Sequence, residues 1–192
     1  MELLRAGAAL YESGHYLAAH EPWEERWLEG DRGARDDCLQ GLIQATAATH
    51  KARHGNWSGA VGLAESAAAY LEGCGRDDLQ AWIERLADDP EQAERERPPS
   101  LRIDGQRVTL EDLTPAETVH AAEALAETRG DEVAERAVEY AEADLEAGEE
   151  SSPFVGLVRS YLLEESPVVR QRIEEHVRRR ENRDADVDGL FE

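Results

Sequence analysis

The sequence predicts an all-α fold, an irregular array of eight or nine helices with one short β-hairpin near residues 101–110. Apolar residues recur at three- and four-residue spacing along most of the chain, and glycines and prolines separate these periodic segments. Only one short segment alternates between apolar and polar residues. Hydrophobic residues make up 41% of the 192 residues, which is enough to build a core.

Five helices are predicted in the first half of the chain. The first begins near residue 3 and ends at Gly14, and the second covers about 16–29, where Pro22 is expected to kink or break it. The stop signal of Gly55 and the helix-capping Asn56 adjoin, which predicts a tight pair of antiparallel helices. The predicted third, fourth and fifth helices cover about 34–53, 57–72 and 77–89.

The second half contains the alternating segment and four further helices. Residues 101–108 alternate around Asp104-Gly105, which predicts the β-hairpin. Three later pairs combine a helix cap with a following proline: Thr114-Pro115, Ser152-Pro153 and Ser166-Pro167. Together with the stop signals Gly130 and Gly148, they predict helices at about 115–129, 132–147, 153–164 and 167–181.

Charge is distributed unevenly and suggests a division of the chain. Residues 1–75 hold 11 acidic and 6 basic residues, whereas residues 76–192 hold 32 and 15. We therefore predict a helical core unit at 1–97, a helical extension at 98–183 that packs on the core, and an acidic tail at 184–192.

The overall charge indicates the environment of the protein. The net charge is −22, from 43 acidic and 21 basic residues, and Lys51 is the only lysine. Such a chain repels itself at ordinary salt, and molar salt shortens the screening length to about 3 Å. The composition resembles proteins of salt-loving archaea, so we expect a halophilic, archaeal protein with an acidic surface. It argues against a nucleic-acid partner, which would need a basic face.

The sequence contains neither a membrane-spanning segment nor a cysteine pattern that indicates disulfides or bound metal. No apolar segment reaches the roughly 18 to 20 residues of a membrane span, and the segment Met1–Arg5 does not have the pattern of a signal peptide. Cys38 and Cys74 are too few and too isolated to indicate a disulfide framework or a thiolate metal site. We therefore expect a cytoplasmic protein, no membrane partner and two reduced cysteines.

Polar residues occupy helical faces that should be apolar on the second and third helices. His20 and Glu24 lie one turn apart on the same stripe as Trp23, and two glutamines lie at the edge of the inner face of the third helix. The candidate polar cluster comprises His20, Glu21, Glu24, Trp27, Gln40, Gln44, His50 and Asn56.

Three interpretations of this cluster are compatible with the sequence. One is a buried hydrogen-bond network that fixes the register of the two helices. A second is a metal site, because His20 with Glu24 and His50 with His54 have the i, i+4 spacing of paired ligands. The third is a small-molecule site in which His20 acts as acid or base and Glu24 orients it. We predict no bound metal or other cofactor, and these four residues are the only ligand candidates that we retain.

The order of the polar residues is similar to that of a known family. The chain reads Gly14-His15-Tyr16-x-x-Ala19-His20-Glu21-x-x-Glu24-x-x-Trp27, then Gln40-Gly41-Leu42-Ile43-Gln44, then His50, then Gly55-Asn56-x-x-Gly59-Ala60. Over about residues 1–73 it resembles the domain-of-unknown-function family three hundred and nine. The resemblance implies an all-α fold and no assigned activity, and it places the polar signature of the family on the candidate cluster. Pro22 departs from the usual aliphatic residue of the family.

The sequence leaves the function open between two classes. We favour a non-catalytic helical binding or interaction domain with a buried polar network between helices two and three and an apolar patch elsewhere. The alternative is a small-molecule or metal-dependent hydrolase-like enzyme that uses His20, Glu24, Gln40 and Gln44. The catalytic residues of such an enzyme are unknown, and a homo-oligomer is compatible with either class.

Overall fold

The described chain is all-α, as predicted. The computed structural model describes residues 1–30 and 36–188, and over these it contains ten α-helices and no β-sheet. The chain divides into two compact units, residues 1–109 and residues 110–192. No helix in the described ranges is both long enough and apolar enough to cross a membrane.

The described residues of the first unit form six helices. The predicted boundaries agree with the structure to within a few residues, and the expected start of the third helix at residue 34 lies outside the described residues. The helices are α1 Glu2–Glu12, α2 Tyr16–Leu28, α3 Asp37–Arg53, α4 Trp57–Leu71, α5 Asp77–Asp88 and α6 Gln92–Arg95. The four-residue α6 is the element that the helix count from sequence omits.

Trp23 joins α2 to α1. Its indole is completely buried, its Nε1 donates a hydrogen bond to the carbonyl oxygen of Leu4 at 3.1 Å, and its ring centroid lies 6.2 Å from that of Tyr11. The indole rests directly against Gly7, where an added Cβ atom would lie 2.3 Å from the indole nitrogen. The helix runs without interruption from Tyr16 to Leu28, so the break expected at Pro22 does not occur.

We predict that Gly7→Ala destabilises the protein by at least about 2 kcal/mol, because a buried indole has no free space into which to move. The matched control is Gly62→Ala, since Gly62 also lies inside a helix but a Cβ there would meet nothing. That change should stabilise by about 0.5–1 kcal/mol. Urea unfolding in high salt measures both, and equal effects of the two substitutions would contradict the packing described here.

The two cysteines form a disulfide, which corrects the expectation of reduced thiols. Cys38 lies in the first turn of α3 and Cys74 follows α4, and their Cα atoms are 5.6 Å apart. The antiparallel return of α4 along α3 brings these ends together. The two helices approach closely at Gly41, where a Cβ would lie 2.8 Å from the Leu71 side chain. The two cysteines are 36 residues apart in the sequence, so their proximity in the fold cannot be predicted from local patterns.

We predict that reduction of the disulfide lowers the Tm by about 10 °C, because opening a loop with 36 residues of separation removes about 4 kcal/mol of stability. Calorimetry with and without reductant measures the shift. A Cys38→Ser, Cys74→Ser double variant is the control, and its Tm should not respond to reductant. An unchanged Tm in the reduced wild-type protein would contradict the prediction.

The predicted β-hairpin does not form. Residues 101–108 contain one isolated antiparallel bridge, between Ile103 and Gln106, and no strands. The sequence signal was the turn itself, which is present, because Asp104 and Gly105 both have positive φ, 51° and 79°. A turn alone does not make a ladder when the flanking backbone groups find other partners.

Those partners are on α1. The carboxylate of Glu12 accepts hydrogen bonds from the Leu101 backbone N–H at 2.7 Å, from the Ser100 hydroxyl at 3.1 Å and from the Arg107 guanidinium at 2.6 Å. The Tyr11 hydroxyl donates to the carbonyl oxygen of Pro99 at 2.9 Å. Burial raises the pKa of Tyr11 well above its usual value, so this hydroxyl remains a donor. The segment is thus fastened to α1 by side chains.

The described part of the second unit, residues 110–188, begins with a 3-10 turn and contains four helices. Thr114 and Glu117 form a reciprocal capping box, and the Ser152 hydroxyl accepts from the backbone of the next turn. The last helix continues to Asp188, into the segment predicted to be an acidic tail, and the final residues lie outside the described ranges. The elements are the turn Leu110–Asp112, α7 Pro115–Arg129, α8 Glu132–Glu146, α9 Pro153–Leu163 and α10 Pro167–Asp188.

Candidate functional site

Three polar side chains converge on one turn of α2. The Nδ1 atom of His20 lies 3.6 Å from Oε1 of Glu21 and 3.6 Å from Oε2 of Glu24. These distances are too long for good hydrogen bonds, and Nδ1 is inaccessible to solvent and makes none. The side chains are 23%, 44% and 46% exposed, so the carboxylates are open to water while the imidazole nitrogen is not. We call these three residues the α2 cluster.

Two contacts show that α3 runs antiparallel beside α2. The guanidinium of Arg53 lies 5.3 Å from the ring centroid of Tyr16, and at the other end Trp27 and Leu39 line a small cavity of about 100 Å³. In this alignment Gln44 on α3 is level with the part of α2 that carries the cluster.

Gln44 makes no hydrogen bond with the cluster. Its Oε1 atom is buried and, like His20 Nδ1, has no hydrogen-bond partner in the described part of the chain. Gln40 is half-buried. These two atoms therefore do not form the hydrogen bonds that were expected between helices two and three.

The remaining predicted residues lie apart from the α2 cluster. His50 and His54 stack at the end of α3 with ring centroids 4.1 Å apart, and Nδ1 of His54 is 2.8 Å from the His50 carbonyl oxygen. Burial, and then the neighbouring His54 and Lys51, lower the pKa of His50. Asn56 is occupied as the cap of α4, where its Oδ1 accepts from the Gly59 backbone at 3.2 Å.

The α2 cluster has the composition of a cation site. It is the only group of three or more His, Cys, Asp or Glu residues within the described ranges whose ligand atoms all lie within 4.8 Å of one another. One imidazole nitrogen and two carboxylate oxygens suit Mn²⁺, Fe²⁺ or Zn²⁺. Metal–ligand bonds of about 2.0–2.2 Å would draw these atoms closer by rotation of side chains alone.

All three members of the α2 cluster belong to the polar cluster predicted from the sequence, where they are grouped with residues of α3. The i, i+4 spacing of His20 and Glu24 is a signal for their contact within one helix, whereas the i+1 position of Glu21 gave none. No pattern in the sequence indicates the Cys38–Cys74 disulfide at the start of α3.

A second concave region of the same unit lies beside the disulfide. It has a volume of about 470 Å³ and is formed by residues 74–79 and 99–102. Its charged side chains are mixed, because Arg76 and Arg102 are balanced by Asp77 and Asp78. This balance favours no particular charge of ligand.

Comparison with known proteins agrees with the resemblance read from the sequence. Residues 4–63 match the family described as Domain of unknown function (DUF309), a range that contains α2, α3 and the whole α2 cluster. No curated protein and no solved structure matches the chain at a significant level. The protein is therefore similar to the DUF309 family over its first three helices and the start of α4.

Proposed function

We propose that the first unit is a non-catalytic binding domain whose ligand is a divalent transition-metal ion held by the α2 cluster. The observation that carries this proposal is the state of His20, whose buried Nδ1 has no hydrogen bond and faces two carboxylates at 3.6 Å. A buried polar atom without a partner costs on the order of 1–3 kcal/mol. A cation bound to Nδ1 and both carboxylates would remove that cost and neutralise two adjacent negative charges.

From the sequence we predicted no cofactor. We revise this prediction because of the geometry of the α2 cluster and Gln44. A dry network would require Gln44 to bond with the α2 cluster, and its Oε1 is buried without a bond. An amide oxygen is a suitable additional ligand or a hydrogen-bond acceptor for metal-bound water. A bound ion would give His20 Nδ1 the partner that it lacks. Metal binding requires a neutral imidazole, so affinity should fall in acid.

A hydrolase-like enzyme is the second candidate. It is supported by the exposure of the two carboxylates, because three protein ligands on one half-open turn leave coordination positions for water and substrate. Metal-dependent hydrolysis of an activated ester that is lost in Glu24→Gln would favour this candidate. Metal binding without such turnover favours the non-catalytic domain.

We predict that one Mn²⁺ ion binds per chain and that His20→Ala or Glu24→Gln weakens binding at least tenfold. Titration calorimetry in about 1 M KCl measures it, since salt screens diffuse attraction to a chain of net charge −22. Glu25→Gln is the matched control, because Glu25 is an exposed carboxylate on the same helix outside the cluster. Equal binding by wild type and His20→Ala, or no saturable binding, would reject the proposal.

We also infer a salt-rich environment for this domain. The net charge of −22 and the single lysine support it, since self-repulsion of the folded chain weakens as salt rises. An archaeal origin and a cytoplasmic location remain proposals. The Cys38–Cys74 disulfide argues against the cytoplasmic location, because disulfides are rare in reducing compartments.

A further inference from the structure

His50 and His54 form a second group of side chains that can bind a metal ion, separate from the α2 cluster. His50 lies in the last turn of α3 and is half-buried, and His54 is the capping residue after that turn and is exposed. Their imidazole rings are neighbours, with centroids 4.1 Å apart. The i, i+4 spacing is the one at which two histidines of a helix reach the same metal ion. We call these two residues the α3 histidine pair.

The structure determines which nitrogen of His54 is free to bind a metal. Its Nδ1 atom lies 2.8 Å from the carbonyl oxygen of His50. A carbonyl oxygen only accepts hydrogen bonds, so Nδ1 carries a proton and donates it. In the neutral ring the lone pair is then on Nε2, on the far side of the imidazole. Histidines that bind metals in proteins are usually held in this way, by a hydrogen bond from the nitrogen that does not bind.

The spacing of the two rings fits one class of metal ion. A metal bound to an imidazole nitrogen at about 2.0 Å lies about 3.2 Å from the ring centroid. Two imidazoles at a right angle about one metal therefore have centroids about 4.5 Å apart, and at the tetrahedral angle about 5.2 Å. The observed 4.1 Å is closer to the right angle. Nitrogen ligands at right angles are typical of Cu²⁺ and Ni²⁺, whereas Zn²⁺ is tetrahedral.

The surroundings of the α3 histidine pair also favour such an ion. Both cysteines of the chain are bonded to each other, so they offer no thiolate that would reduce Cu²⁺ or compete for it. The carbonyl groups at the end of α3 carry partial negative charge, which favours a cation there. Lys51 and Arg53 oppose this effect, but the Arg53 guanidinium is held 5.3 Å from the ring centroid of Tyr16, and the whole chain has a net charge of −22.

We infer that the α3 histidine pair binds one Cu²⁺ ion, through Nε2 of His54 and one ring nitrogen of His50. Cu²⁺ is favoured over Ni²⁺ and Zn²⁺ because it has the highest affinity for nitrogen ligands among these ions and because the ring spacing suits its geometry. Water or an external ligand would complete the coordination, since the exposed His54 leaves one side of the ion open. This site is independent of the α2 cluster, which offers two carboxylates and one imidazole.

Titration with Cu²⁺ in the His20→Ala variant tests the inference with the full chain. This background removes the imidazole of the α2 cluster, so the two sites are not confused. One Cu²⁺ should bind per chain, and pulsed electron paramagnetic resonance should detect the remote nitrogens of two bound imidazoles. Adding His54→Ala should weaken binding at least tenfold and leave the signal of one imidazole. Because His54 is exposed, the helical circular dichroism should not change.

His176→Ala in the same background is the matched control. His176 is a half-buried histidine of the second unit whose ring packs edge-on against Phe154. Its removal should leave Cu²⁺ affinity and the number of bound imidazoles unchanged. Absence of Cu²⁺ binding in His20→Ala, a signal from fewer than two imidazoles there, or unchanged binding after replacement of both His50 and His54 would overturn the inference. None of these results bears on Mn²⁺ binding by the α2 cluster, which requires His20.

Discussion

The contact between the Trp23 indole and Gly7 fixes the rotation of α2, and the candidate site depends on that rotation. The indole is completely buried, is bonded to the Leu4 carbonyl and has no room for a Cβ beneath it. With Trp23 directed at α1, the helical repeat turns the carboxylates of Glu21 and Glu24 toward water. A strongly apolar contact on one side of α2 thus determines which polar groups meet on the other.

Three further constraints hold the first unit around this contact. The buried Glu12 carboxylate fastens the segment after α6 to α1 by three hydrogen bonds. The Cys38–Cys74 disulfide ties the start of α3 to the end of α4. Close approach of α3 and α4 at Gly41 leaves little freedom between them. The disulfide and the close packing at Gly41 do not depend on charge, whereas the Glu12 contact includes an ion pair with the exposed Arg107.

The fold was largely predictable from the sequence. Two predictions that failed, the β-hairpin and the reduced cysteines, failed for the same physical reason. Helix boundaries follow from local signals such as the Thr114 cap and the Asn56 cap, which act within one turn of chain. The β-hairpin prediction failed because its turn is local but its hydrogen-bond partner, Glu12, lies 89 residues away from Leu101. The disulfide was missed for the same reason. Contacts between residues that are far apart in the sequence produce no local pattern from which a single sequence could predict them.

The candidate site was predictable in its residue types and not in its grouping. His20 and Glu24 were identified because they interrupt an apolar stripe, but the sequence could not decide whether they bond to α3 or remain open. The most direct measurement is anomalous diffraction at the manganese edge from crystals grown with Mn²⁺. We predict one peak within about 2.3 Å of His20 Nδ1 and both carboxylates of the α2 cluster. Ordered Mn²⁺ only at other acidic residues, with the α2 cluster empty, would contradict it.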